Sequence, residues 1–334
     1  MSDIQTAALA KRSHAARLLS QENVVGVGLA EKRIRGRPTG GVCVVALVRR
    51  KVPRAGLALQ AIIPAEVDGV PTDVVEVGDL RAFAARTDRW RPAPGGVSVG
   101  HFLITAGTLG AIVHDRDSGA RLILSNNHVL ANGNSAAAED PILQPGIADG
   151  GREESDTLAL LERFVPIAYS LEPATCGLAR AVADAANLLA QWLGSKHRLQ
   201  AIRADPAAVN RVDAALARPL DESAVSDDIL DIGRVSGTLP ASLGLAVRKS
   251  GRTTGLTSGE ITVIEATVDV GYDDRMARFE GQILTGPMSE PGDSGSLLVA
   301  GQSLQAVGLL FAGSTQTTIY NPIADVLSAL SVTL

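Results

Sequence analysis

The chain has 334 residues, 46% hydrophobic and 20% charged, with a formal net charge of −5. That composition describes a globular protein with a sizeable core, and no run of about 18 apolar residues exists to form a membrane-spanning helix. Thirty-four glycines and sixteen prolines among Val, Ile and Thr runs favour β structure with many turns.

The N-terminus carries Asp3 early and no apolar stretch after a basic start, so it does not read as a secretory signal. Cys43 and Cys176 lie far apart and make no metal-ligand spacing; both are expected to be buried small hydrophobes. These features predict a reducing, cytoplasmic setting and neither a metal nor a cofactor. Residues 1–92 hold fifteen Lys/Arg against nine Asp/Glu, a net +6, which leaves −11 for residues 93–334. The asymmetry suggests docking of the two parts or of neighbouring subunits, hence a homo-oligomer through the N-terminal unit. The basic residues lack interleaved aromatics, so no nucleic-acid partner is expected.

Residues 4–22 have helical spacing of Ile4, Ala7, Ala8, Leu18 and Leu19. Strands are predicted over 24–29 and 42–48, joined by the polar segment 31–41. A helix is predicted over 57–63, and a hairpin over 66–75 turning at Asp68-Gly69. This is a small α+β unit over 1–80, followed by a polar linker over 81–94. From 95 to the end, short strands alternate with turns. They are predicted over 108–113, 121–124, 210–217, 235–239, 245–247, 259–270, 278–285, 306–312 and 317–320, with a closing helix over 322–330. About a dozen strands suffice for two small antiparallel barrels. One helix interrupts them, with Leu178, Val182, Ala185, Leu188, Leu189 and Trp192 on a stripe read as a packing face. The helical insertion spans about 170–205.

Gly292-Asp293-Ser294-Gly295 places a serine on a glycine turn ahead of the apolar run 297–299. Glycine dihedrals there let successive N–H groups converge on one spot beside the hydroxyl, as acyl transfer to serine requires. Gly295 is expected to leave the far side of the serine open. A base is supplied by His128, at the end of an apolar strand, whereas His14, His101, His114 and His197 have polar or helical surroundings. Asp213 falls in an apolar strand, where a carboxylate is costly unless hydrogen-bonded, and a histidine ring N–H would satisfy it. Asp156 and Asp205 are rivals in less apolar settings. The chain order His128, Asp213, Ser294 differs from the orders of subtilisins and α/β-hydrolases.

On these motifs (Ser125-Asn126-Asn127-His128, Asn210-Arg211-Val212-Asp213, Gly292-Asp293-Ser294-Gly295) residues 95–334 resemble the chymotrypsin/trypsin-like serine protease superfamily. Residues 246–255 are similar to the bacterial streptogrisin and α-lytic group, and the N-terminal unit with the histidine motif is like the plant narrow-leaf trypsin-like proteins. The resemblance implies a mainly β fold of two antiparallel six-stranded barrels with an inserted helix. It implies Ser294 as nucleophile, His128 as base, Asp213 as orienting acid and the N–H groups of Gly292 and Ser294 as the oxyanion hole. It also implies a pocket lined by Met288, Phe311, Ala312 and Gly313. Met288 stands where trypsin-type enzymes carry an aspartate, so cleavage after small or medium apolar residues is expected. No Ile-Val-Gly-Gly activation site occurs near residue 95, so Asp293 needs an internal cation, with Lys249 first and Arg252 second. The implied activity is a serine endopeptidase acting on polypeptides. The alternative is a protease-fold scaffold acting through its N-terminal unit.

Overall fold

Residues 4–34, 37–53, 56–58, 61–78 and 84–334 are described by the computed structural model, and the chain divides into two units, Met1–Phe83 and Ala84–Leu334. In the first, helix α1 (Ile4–Leu19) buries Ala7, Ala10 and Leu18 against a sheet ordered β1 (Val24–Ile34), β2 (Arg37–Val48), β4 (Val70–Glu76), β3 (Glu66–Val67). The described residues of the polar segment 31–41, expected as a link, include paired backbone: Glu31 opposes Val42 and Arg33 opposes Pro38. Its polar side chains do not prevent pairing, because the ladder is made by main-chain groups. Asp68 and Gly69 both have positive φ, 49° and 72°, the signature of the type I′ turn that the Asp-Gly pair favours. The helix expected over 57–63 includes residues 59 and 60, which lie outside the described residues.

The second unit is built on two antiparallel sheets. The first runs, in spatial order, β24 (Val332–Thr333), β8 (Ala111–Asp115), β9 (Arg121–Ser125), β15 (Ala215–Pro219), β11 (Thr157–Phe164), β10 (Pro141–Leu143), β6 (Ser98–His101), β7 (Gly107–Thr108). The second contains β20 (Arg275–Thr285), β19 (Gly255–Tyr272), β18 (Ala246–Gly251), β21 (Leu297–Ala300), β22 (Ala306–Gly313) and β23 (Thr318–Pro322). Because β23 also pairs with β20, these six strands close into a barrel. The first sheet has eight strands, the short end pieces β24 and β7 extending a six-stranded run. A small sheet of β17 (Gly233–Arg234), β16 (Val225–Ile229) and β5 (Ala93–Gly95) flanks them. Within this unit the described residues 84–94 are not a free linker. The Trp90 amide donates to Gln144 Oε1 at 2.8 Å and Arg86 to Ser250 Oγ at 2.7 Å.

Leu109, Ile123, Ile142 and Leu158 fill the first sheet, and Ile261, Ile283, Leu298 and Tyr320 fill the second barrel. Leu124, Leu216, Leu297 and Leu309 join them, covered by α5 (Ile323–Ala329). Two one-turn helices, α2 (Asn127–Leu130) and α3 (Glu153–Asp156), interrupt the first sheet's connections. The predicted strand over 235–239 is reduced to a single bridge at Thr238, since Gly237 takes φ +81°. The insertion is a hairpin of β12 (Leu171–Pro173) and β13 (Ile202–Ala204) that carries α4 (Gly177–Trp192), and β14 (Val209–Asn210) follows it beside β20. No residue of α4 is buried, so its apolar stripe is not a packing face within the described fold.

Candidate active site

The apolar strand β9 delivers the chain into α2, and Asn127 fixes that turn by donating to Val165 O at 2.7 Å and to Asn134 Oδ1 at 2.8 Å. His128 is thereby held with its side chain 24% exposed above a fully buried Asp213. The imidazole Nδ1 lies 2.6 Å from Asp213 Oδ2, and the His128 amide donates to Oδ1 at 3.3 Å. Asp213 does not lie within a strand as expected: it sits two residues before β15. Its own amide donates to Asn321 Oδ1, and its carbonyl accepts from Asn126 Nδ2. A third donor reaches the carboxylate, the Tyr272 hydroxyl at 2.8 Å from Oδ2. Burial and the adjacent Asp213 charge push the Tyr272 hydroxyl well above the usual tyrosine range, so it stays protonated and donates. The sequence reading missed Tyr272, because nothing local marks a tyrosine whose partner is 59 residues away.

Around Ser294, Glu290-Pro291-Gly292-Asp293 forms a turn closed by Asp293 N–H to Glu290 O at 3.0 Å, with Gly292 at φ +98°. Proline at the second position and glycine at the third are what a type II turn selects. Among the described residues, the N–H groups of Gly292 and Ser294 have no protein acceptor, so both remain available beside the Ser294 hydroxyl. Gly295, at φ +95°, does not open the far side as expected. A Cβ there would lie 2.1 Å from Ser125 Oγ and 2.2 Å from Thr108 O. Glycine is required because the turn presses on the first sheet, where Thr108 N–H donates to Ser294 O at 2.7 Å and Thr108 Oγ1 to Gly292 O at 2.9 Å.

Beneath the turn, Lys249 and Asp293 are both fully buried, with Nζ 2.9 Å from Oδ2. Asp293 also accepts from the amides of Thr253, Thr254 and Glu290 and from the Thr254 hydroxyl. Burial pushes its carboxyl up, but the Thr254 hydroxyl and the Lys249 charge outweigh burial and hold it below the usual carboxylate range. Burial in turn lowers the Lys249 ammonium, opposed by Asp293. Arg252, the second candidate, pairs elsewhere, its Nε 2.8 Å from Asp149 Oδ2.

His128 and Ser294 line one cleft of about 870 Å³ together with Gly292, Tyr272 and Phe311. No hydrogen bond links the two side chains among the described residues; such bonds commonly tighten only when substrate binds. A cavity of about 600 Å³ adjoins Ser294, with Met288, Leu310, Ala312 and Gly313 on its walls and the hydroxyls of Thr257 and Ser289. Phe311 is not on the wall of this cavity: it is buried and stacks on Phe279 with centroids 4.7 Å apart. Among the described residues, Glu290 is the single ionisable side chain on the cavity wall. The rival acids are engaged elsewhere, Asp156 with Arg89 at 3.1 Å and Asp205 near Arg203 at 3.8 Å. His101, expected in polar surroundings, is fully buried with Nε2 3.0 Å from Asp140.

No family model matches the chain. Streptogrisin-A of Streptomyces griseus is 42% identical over 99 residues, covering 28% of this chain and 32% of that protein. Serine protease 2 of Streptomyces fradiae is 44% identical over 80 residues, covering 24% and 43%. Glutamyl endopeptidase 2 of Streptomyces griseus is 33% identical over 103 residues, covering 30% and 53%. The chain thus spans 32%, 43% and 53% of the lengths of these three relatives. Among solved structures, a Nocardiopsis protease superposes with a TM-score of 0.46 at 20% identity, covering 72% of this chain and 99% of its own. An α-lytic protease homolog gives 0.45 at 18% identity, covering 72% and 98%. Over matched segments of 80 to 99 residues, the chain is similar to streptogrisins and a serine protease of Streptomyces.

Proposed function

We propose that this protein is a serine endopeptidase. The observation that carries the reading is the buried Asp213 carboxylate 2.6 Å from His128 Nδ1, with His128 and Ser294 lining one cleft. With Nδ1–H donated to Asp213, the neutral imidazole keeps its lone pair on Nε2, the tautomer that can take a proton from Ser294. Ser294 Oγ then attacks the scissile carbonyl carbon and its proton passes to Nε2. The carbonyl oxygen, now anionic, accepts from the N–H groups of Gly292 and Ser294, where losing one donor typically costs about 3 kcal/mol of barrier. Collapse of the tetrahedral species expels the amine, which takes the proton back from His128 and leaves an acyl group on Ser294. Water repeats the sequence and frees the acid. Tyr272 acts as a positioning residue, sharing the charge of Asp213 and holding its carboxylate toward the ring.

The cavity beside Ser294 takes the side chain preceding the scissile bond. Its floor is the buried Met288, whose thioether accepts from Tyr320 at 3.8 Å, and Leu310 and Ala312 are apolar. These walls support a small or medium apolar residue. Glu290 disfavours an acidic one, a difference from the glutamate preference in the name of one relative. The test is labelling with a fluorophosphonate probe followed by casein digestion. Labelling and digestion, both abolished by Ser294→Ala, are expected; absence of labelling in the native chain would leave a scaffold role.

A further inference from the structure

Helix α4 reverses the usual arrangement of a surface helix. Its alanines at 179, 183, 186 and 190 are half-buried, while its large apolar side chains point to solvent: Trp192 is 84% exposed, Leu178 75%, Leu188 68% and Val182 63%. The helix is nevertheless firmly held. Asn187 clamps the returning chain twice, donating to Leu199 O at 2.8 Å and accepting from Leu199 N at 2.7 Å, and β12 pairs with β13 below it. A fixed helix that displays its apolar face belongs against something.

The spacing of that face identifies its partner. Leu178, Val182, Ala185, Leu189 and Trp192 follow one another at intervals of four, three, four and three, the seam of two helices packed along their length. The stripe is also nearly symmetric about Ala185: Val182 and Leu189 stand three and four residues to either side, and Leu178 and Trp192 seven. A two-fold axis at Ala185 would set Leu178 against Trp192 of the partner and Val182 against Leu189, each contact occurring twice. That is the condition for a self-complementary interface. Ala185, the smallest member of the stripe, lies where the two backbones would come closest. Arg180 and Asp184 are the only charges on the helix and are opposite in sign, so no like-charge repulsion opposes pairing. The exposed stripe offers on the order of 600 Å², the upper end of the largest apolar patch on a typical monomer and about three-quarters of one partner's share of a standard interface.

We propose that α4 is the contact through which two copies of this chain associate, paired antiparallel about Ala185. The surface holds no residue of the candidate active site, so the pairing stands independently of the peptidase reading. Sedimentation velocity on the full chain is expected to give twice the chain mass, and Leu189→Glu to give a monomer with an unchanged melting transition and unchanged fluorophosphonate labelling. Ala185→Cys is expected to form a disulfide-linked dimer on mild oxidation. The native Cys176 thiols, about 27 Å apart in the antiparallel pair by helix rise, should not link. A native chain that stays monomeric to tens of micromolar would overturn the proposal. So would a dimer that survives Leu189→Glu, or linkage through Cys176 in place of Ala185→Cys.

Discussion

Asp213 shows how much of the site depends on single atoms. Its Oδ2 accepts from both His128 and Tyr272, so the tyrosine hydroxyl competes with the ring for the same charge. Tyr272→Phe is expected to lower kcat about tenfold, the worth of one hydrogen bond to a charged group, with KM unchanged. A purely structural tyrosine would not give this split between kcat and KM. Lys249 acts on the same scale. Removing it strands a buried carboxylate, and Lys249→Ala is expected to cost about 3–5 kcal/mol together with most of the activity. Since the Asp293 carboxyl is held below its ordinary range, the stability it contributes is present above about pH 4 and is lost as pH falls through the folded value. Urea unfolding from pH 3 to 8 should therefore show the gap between native chain and variant narrowing only at the acid end.

At the level of elements, the β19–β20 hairpin connects core and site. Its closed end carries Tyr272, and its interior residue Phe279 is fully buried between Tyr272 and Phe311, with centroids at 6.3 and 4.7 Å. Arg275, on the return strand, lies 4.1 Å over the Tyr169 ring, which in turn meets Tyr272 edge-on. Phe279→Ala is expected to destabilise by about 3–5 kcal/mol in thermal or urea unfolding, because the hairpin cannot collapse into the space left. Helix α4 teaches the opposite lesson about elements. Its 3.6-residue periodicity was legible in the sequence, yet periodicity states only that one face is apolar. Whether that face meets a core, a second chain or solvent depends on where the insertion's two ends are anchored, here a short β12–β13 pair that leaves the stripe outward.

Across the second unit, the cleft lies where the two sheets meet: the first supplies His128 and the second supplies Ser294, with Thr108 binding one to the other. The cation that Asp293 requires comes from β18 of the same unit, so the turn around Ser294 is supported without a newly cut terminus. The intact 334-residue chain is therefore expected to react with a fluorophosphonate, with mass spectrometry finding the label on uncleaved protein. Labelling confined to a shortened product would contradict this. The mainly β texture, the glycine turn at 292–295 and the candidate residues His128, Asp213 and Ser294 were legible in the sequence, because each rests on local chemistry: backbone dihedrals, alternation, or a carboxylate in an apolar run. The tertiary structure alone decided that Tyr272 shares Asp213, that Gly295 is dictated by Ser125 and Thr108, that Phe311 stacks in the core, and that α4 is exposed. Each of those depends on residues far apart in the chain meeting in space, and a linear pattern carries no information about which distant groups will be neighbours.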